Sequence, residues 1–143
     1  MPNSLIPAAS AIVVNANNEI LLHRRSDNDL WSVPGGAMEL GESILQTVVR
    51  EVKEETGLDV RPGRVTGIYT DPRSVVAFAD GEVRQQFSIC FACTVVGGTR
   101  AVSSESTELR FVTPDTIDDL AISPPVRLRI RHYLDNRSEP AVT

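Results

Sequence analysis

The sequence predicts an α/β domain in which a mixed β-sheet carries helices on both faces. Three observations carry that prediction. Two apolar segments flank a turn cluster near the N-terminus, a segment with helical period follows, and two further runs rich in Val, Ile, Phe and Thr come before a last helix. At 143 residues the chain has the length of one domain, and it is read as a single domain over residues 1–143.

The elements follow in order. Ala11 to Val14 is apolar, Asn15 to Asn18 is a turn cluster, and Glu19 to Arg25 resumes with Ile20, Leu21 and Leu22, which together read as a hairpin. Trp31 to Val33 reads as a short strand that stops at Pro34-Gly35-Gly36. Stepping about 100° per residue from Ile44 places Leu45, Val48, Val49 and Val52 on one apolar stripe. Gly41 or a neighbour opens this helix, with Glu42 favoured at the positive end of its dipole, and Gly57 is its left-handed stop. Leu58 to Thr70 and Val83 to Val96 read as strands, joined by a loop over Asp71 to Gly81. Gly97-Gly98 breaks the second strand, Leu109 to Val112 is a last short one, and a helical turn begins at Thr113 or Asp115. Ser123 caps a final helix opened by Pro124 and Pro125, with Val126, Ile130, Tyr133 and Leu134 on its apolar side. Residues 138–143 are expected to be a frayed, flexible tail.

Composition narrows the function classes. A net charge of −5 argues against binding nucleic acid or an anionic membrane through bulk charge. No apolar run reaches the roughly 20 residues of a membrane span, and Met1 to Ser10 has no basic leader, so a cytoplasmic location is expected. Cys90 and Cys93 are the only cysteines, which excludes a disulfide scaffold and fits a reducing compartment. Odd spacing on a strand sends their side chains to opposite faces, so they read as small buried groups rather than as a redox pair or zinc ligands.

The central helix has a second feature. Glu51, Glu54 and Glu55 share an arc of about 100° beside the apolar stripe. Like charges three and four residues apart repel, and partial burial strengthens the repulsion. A solvated acidic face is one reading. The other is a cation site, and oxygen donors without nearby His or Cys suit Mg²⁺ or Mn²⁺. Arg50 lies next to Glu54 on the wheel, outside the trio, where it can steer a carboxylate.

The flanking residues bear on that choice. Gly36 is followed after five residues by Glu42, and seven more lead to Arg50-Glu51-Val52, Lys53-Glu54-Glu55 and Thr56-Gly57-Leu58. This 23-residue stretch, Gly36 to Leu58, resembles the Nudix box of the Nudix hydrolase family, MutT-like pyrophosphohydrolases, at every specified position. The resemblance implies a loop–helix–loop cradle in an α/β/α sandwich. It implies hydrolysis, with a divalent metal, of the pyrophosphate bond in a nucleoside diphosphate linked to another moiety, releasing a nucleoside monophosphate. By position, Glu51, Glu54 and Glu55 become metal ligands, Arg50 orients Glu51, and Glu42 supports the cluster. Gly36 and Gly57 become structural, supplying backbone freedom. The resemblance leaves the general base open between Glu54 in the box and Glu105 on a later loop, with Glu108 close behind. A sensor domain that binds a nucleotide without turnover is the alternative. The resemblance also leaves a homodimer as an assembly to test.

Outside the box, Arg25 is a candidate for substrate phosphate, Trp31 for stacking on a base and Tyr69 for substrate contact. The competing readings are a surface basic patch for His23-Arg24-Arg25 and core aromatics for the other two. Arg127, Arg129 and Arg131 read as the solvated face of the last helix, or as a contact with a second copy.

Overall fold

A computed structural model describes residues 1–143. Its strands are β1 (Ser4–Leu5), β2 (Ala8–Val14), β3 (Ile20–Arg25), β4 (Trp31–Ser32) and β5 (Gly35–Ala37), followed by helix α1 (Ile44–Thr56). Then come β6 (Leu58–Tyr69), β7 (Val75–Ala77), β8 (Val83–Gln85), β9 (Ser88–Gly98) and β10 (Ser106–Val112). A 3-10 segment (Pro114–Asp119), helix α2 (Pro124–Leu134) and β11 (Ala141–Val142) complete the chain. The main sheet runs β10-β3-β2-β9-β6-β11, with β4 on β3 and β5 on β2, and a small sheet runs β1-β8-β7.

The main sheet is mixed because β2 runs parallel to β9 while β3/β10 and β6/β9 are antiparallel. A central strand covered on both faces is apolar throughout rather than alternating. That explains the unbroken run in β2. Ala9, Ala11 and Val13 pack toward Val48 and Val52 of α1, whereas Ile12 and Val14 pack with Val126 and Ile130 of α2. Cys90 and Cys93 divide between the same two cores, as two-residue periodicity demands. Burial pushes the Cys93 thiol up to about 12.

Helix α1 begins at Ser43, not at Gly41. Ser43 Oγ accepts from the Gln46 N–H (3.2 Å), and the Gln46 side-chain oxygen accepts from the Ser43 N–H (2.8 Å), a reciprocal capping box. Gly57 ends it at φ +77°, donating its N–H to the Lys53 carbonyl (2.9 Å). The apolar stripe is only half used: Val48 and Val52 are sealed, but Leu45 and Val49 stay largely exposed. Thr47 and Thr56 complete the buried side. Each returns its hydroxyl to a carbonyl one turn back, Ser43 for Thr47 (3.1 Å) and Val52 for Thr56 (2.7 Å), so neither leaves an unpaired polar group.

Several boundaries depart from the sequence reading. The segment expected as one strand from Val83 to Val96 is broken at Gln86-Phe87 into β8, in the small sheet, and β9, in the main one. The Asp71–Gly81 loop carries β7. Residues 138–143 do not form a free tail throughout. Ala141–Val142 pair with Gly67–Ile68 and give the edge strand β6 a neighbour, and the Thr70 N–H donates to the Thr143 carbonyl (2.6 Å).

Helix α2 buries Val126 and Ile130 but leaves Leu134 exposed. Its arginines are not a uniform solvated face. Arg127 donates to the carbonyls of Ile117 (3.3 Å) and Leu120, and Arg129 turns inward beside Gln86.

Candidate active site

The acidic residues of α1 face a cleft of ≈ 270 Å³ lined by Glu51, Glu54, Glu55, Ser103, Ser104 and Glu105, with no apolar side chain among them. Glu54 is more than half exposed at its rim, while the Glu51 and Glu55 side chains are only 14% and 9% exposed. Helical spacing brings the three together, and the β10 end of the sheet brings Glu105 opposite them. The loop before β10 is pinned twice. Ser26 N–H donates to the Glu105 carbonyl (2.9 Å), and the buried His23 ring shares a hydrogen bond with Ser106 Oγ (2.8 Å). Burial lowers the His23 pKa, and its other ring nitrogen lies 3.9 Å from Glu55. The sequence reading left His23-Arg24-Arg25 open between a site role and a surface patch. The position of His23 directly after the apolar Ile20-Leu21-Leu22 was the available signal for its burial.

Arg50 is the hub of the acidic array. Its Nε and Nη2 hold Glu42 in a fork (2.6 and 3.0 Å), and its Nη1 donates to Glu51 (2.8 Å) and Glu54 (3.2 Å). Nη2 also donates to the Ala37 carbonyl (3.0 Å), tying the helix to β5. The fork, with the Glu39 N–H (2.9 Å) and Thr47 Oγ1 (3.0 Å), holds the Glu42 carboxyl down to about 2. The Arg50 guanidinium is correspondingly held far above its ordinary value. Thus Arg50 does more than steer one neighbour. It joins the carboxylate that supports the cluster to two that line the cleft.

Glu55 lacks that cation. Burial, reinforced by the nearby charges of Glu51 and Glu105, pushes its carboxyl up to about 8, although the Gly35 N–H donates to it (3.1 Å). Burial also raises Glu51, against the pull of Arg50. Two buried carboxylates whose pKa burial raises and a third at the rim are hard oxygen donors with only Arg50 as a shared counter-cation, and this chemistry suits Mg²⁺ or Mn²⁺. They do not form a ready three-ligand cage, because Glu51 and Glu54 lean on Arg50.

Gly36 owes its place to space. A Cβ on it would overlap the Glu51 carboxylate, so β5 can pass this close only without a side chain. Its backbone is not left-handed, which corrects the expectation of conformational freedom there; Gly57 alone of the two has that role.

On the other side of β5 lies a cavity of ≈ 350 Å³, between the main sheet, the small sheet and α2. Gly35 and Gly36 line it while touching Glu55 and Glu51 behind them, so β5 is the shared wall. Arg25 lines the cavity but is held in a fork by Asp27 (2.9 and 2.7 Å). Trp31 and Tyr69 are not on its wall. Trp31 packs in the α2-side core with Arg110 over its ring (4.8 Å). Tyr69 is buried with its hydroxyl on His132 (2.8 Å) and with Arg129 over its ring (5.1 Å). Arg84 and Arg129 are charged wall residues that sequence reasoning did not select. A larger, open groove of ≈ 680 Å³ flanks Leu40, Leu45, Val49 and Pro62, on the side of α1 that carries Glu42 and Arg50 but none of the trio.

No helix is long and apolar enough to cross a membrane. A family model described as the NUDIX domain matches residues 4–133. A "MutT-like protein" of Streptomyces ambofaciens is 36% identical over 113 residues, 78% of this chain and 66% of the relative. A Bacillus subtilis (strain 168) protein provisionally named 8-oxo-dGTP diphosphatase is 30% identical over 94% of this chain and 84% of its own length. An "ADP-ribose pyrophosphatase" of Methanocaldococcus jannaschii is 33% identical over 76% of this chain and 63% of its own length. This chain therefore spans just under two thirds of the first and third of these relatives. Among solved structures, the MutT protein of Methanosarcina mazei Go1 superimposes with a TM-score of 0.73 at 27% identity, covering 96% of this chain and 99% of that one. With the domain match, the fold and the box all in agreement, the chain belongs to the Nudix hydrolase family and is MutT-like.

Proposed function

We propose that this protein hydrolyses the pyrophosphate bond of a nucleoside diphosphate linked to another moiety, a (d)NTP or a nucleotide sugar such as ADP-ribose, and releases a nucleoside monophosphate. The observation that carries this reading is the crowding of Glu51, Glu54, Glu55 and Glu105 around one cleft, with an open cavity beside β5. A nucleoside in the cavity would extend its diphosphate past β5 to the acids. The names of the relatives, covering a nucleoside triphosphate and a nucleotide sugar, support that substrate range.

Glu51, Glu54 and Glu55 are the residues that would hold Mg²⁺ or Mn²⁺. Such an ion, when bound, screens the diphosphate charge from the acids and makes water more acidic. Arg50 donates to Glu51 and Glu54, orienting both, and keeps Glu42 ionised behind them. A carboxylate must then take the proton of the attacking water. Glu54, exposed at the rim, and Glu105, on the facing loop, are the two groups placed for it. The Gly35 N–H holds Glu55 toward the wall that both spaces share.

The test is a panel of nucleoside diphosphate derivatives with Mg²⁺, read by chromatography of products. A nucleoside monophosphate is expected, and Glu54→Gln and Glu105→Gln variants assign the base. Binding of nucleotides with no product on long incubation would instead indicate a sensor domain.

A further inference from the structure

The side chains of this chain leave two buried polar atoms without a hydrogen-bond partner, Ser10 Oγ and Arg129 Nε, and both residues line the cavity beside β5. Native interiors pair nearly all such atoms, so two on residues of one wall mark a region whose polar groups the chain itself does not satisfy. The cavity has no Asp or Glu on its wall. Of its three arginines, Arg25 is forked by Asp27 and Arg84 by Glu82 (2.9 and 3.0 Å). Arg129 has no carboxylate. Its Nη2 donates to the Gln86 side-chain oxygen (2.7 Å), and its plane is steadied over Tyr69. Burial of this cation without an anion depresses its pKa, a cost that only an acceptor in the cavity would offset.

The rest of the wall says what carries that acceptor. Val33, Val76, Phe78 and Phe87 give it apolar surfaces among its polar groups, with Arg84 stacked on Phe78 (4.6 Å). A bare phosphate gains nothing from such surfaces, whereas a planar base buries its faces against them and presents its edge to the polar groups.

Resting on the nucleotide hydrolase reading above, we infer that Arg129, positioned by Gln86 and Tyr69, is the specificity-determining residue of the cavity and reads the paired acceptors of a 6-oxopurine base. Guanidinium offers donors only, in a fork. The O6 and N7 atoms of a guanine-type base offer two adjacent acceptors to match it, while adenine sets an amino donor where O6 would be. Adenine in the same pose keeps N7 as an acceptor but sets its amino donor against the second guanidinium N–H.

The experiment uses nucleoside monophosphates, the product shared by every substrate of the proposed class, so it does not depend on which group is cleaved off. Calorimetry of the full chain with Mg²⁺ compares GMP, IMP, AMP and 7-deaza-GMP. GMP and IMP are expected to bind at least about tenfold more tightly than AMP, the discrimination of a good bidentate contact. 7-deaza-GMP, which lacks one acceptor, is expected to weaken toward AMP, and Arg129→Met to erase the difference between GMP and AMP. AMP binding as tightly as GMP overturns the inference, as does a preference for GMP that survives Arg129→Met, or no measurable GMP binding. If that variant does not fold, equal affinity for GMP and 7-deaza-GMP overturns it in the unmodified protein. Failure of the hydrolase reading looks different: no nucleoside diphosphate derivative is cleaved, whatever its base.

Discussion

The two faces of β5 obey opposite electrostatic rules. On one side, four carboxylates line a cleft with one guanidinium, Arg50, shared among Glu42, Glu51 and Glu54. On the other, three arginines line a cavity without an acid on its wall, and one of them has no acid at all. Each side is short of a partner of opposite character: the cleft has one guanidinium for its acids, and the cavity has no acid for Arg129. On the proposed function, a nucleotide held with a divalent ion would supply both. The comparison teaches that both regions carry a desolvation cost that the two cores do not.

The sharpest way to break this comparison is to neutralise the cleft. Glu54→Gln and Glu55→Gln are each expected to lower kcat by roughly 10²–10⁴-fold, the scale of losing a positioned acid–base or ligand group, with circular dichroism unchanged. Unaltered turnover in both would leave the acids as a solvated face. A gentler insult acts through space alone. Gly36→Ala drives a methyl group into the Glu51 carboxylate, and a misplacement of about 1 Å is expected to cost on the order of 10²-fold in kcat. The thermal midpoint should move little, because the displaced group belongs to the cleft and not to either core.

The stored cost can be read without any substrate. The Glu55 carboxyl is raised to about 8 in the folded, metal-free protein, so the folded state binds its proton more tightly than the unfolded chain does. The stability it allows is complete below the ordinary Glu value and is lost as pH rises through about 8. Metal-free protein is therefore expected to lose on the order of a few kcal/mol between pH 5 and pH 8, measured by urea unfolding. Glu55→Gln should flatten this slope and be the more stable protein at pH 8 while being the less active. Mg²⁺ should restore the wild type toward it. A metal-free wild type whose stability is flat across that range would show that Glu55 is already compensated.

The cleft was legible in the sequence and the cavity was not, for one physical reason. Glu42, Arg50, Glu51, Glu54 and Glu55 lie on a single cap and helix, where a 3.6-residue period converts spacing directly into proximity. The cavity wall draws on β2, β3, β5, the small sheet and α2, and only tertiary packing brings Ser10, Gln86 and Arg129 together. Period-based reading assigned Arg129 to solvent because its neighbours Arg127 and Arg131 looked alike. The same limit left Trp31 and Tyr69 open between ligand contact and core, and the structure packs both in the core. Glu105 sits between these cases. Its residue type and loop suggested the role, and the pins from Ser26 and His23 that hold the loop at the cleft were invisible in one dimension.

The smallest effect tests the helix that underlies the cleft. The wheel grouped Leu45, Val48, Val49 and Val52 as one stripe, yet Val48 is fully sealed and Val49 is 36% exposed. Val48→Ala removes buried methyl groups between α1 and Ala11, Val13 and Phe91, with little room for collapse, and is expected to cost about 1–2 kcal/mol. Val49→Ala exchanges a half-wet side chain for a better helix former and is expected to stay within about 0.5 kcal/mol of wild type. Chemical denaturation of the pair reads the difference at constant m-value. A large loss at Val49 would mean that this outer face is covered in solution by something packed against it, such as a second copy of the chain. The groove along Leu40, Leu45, Val49 and Pro62 would then belong to an interface, and helix α1 would owe part of its stability to it.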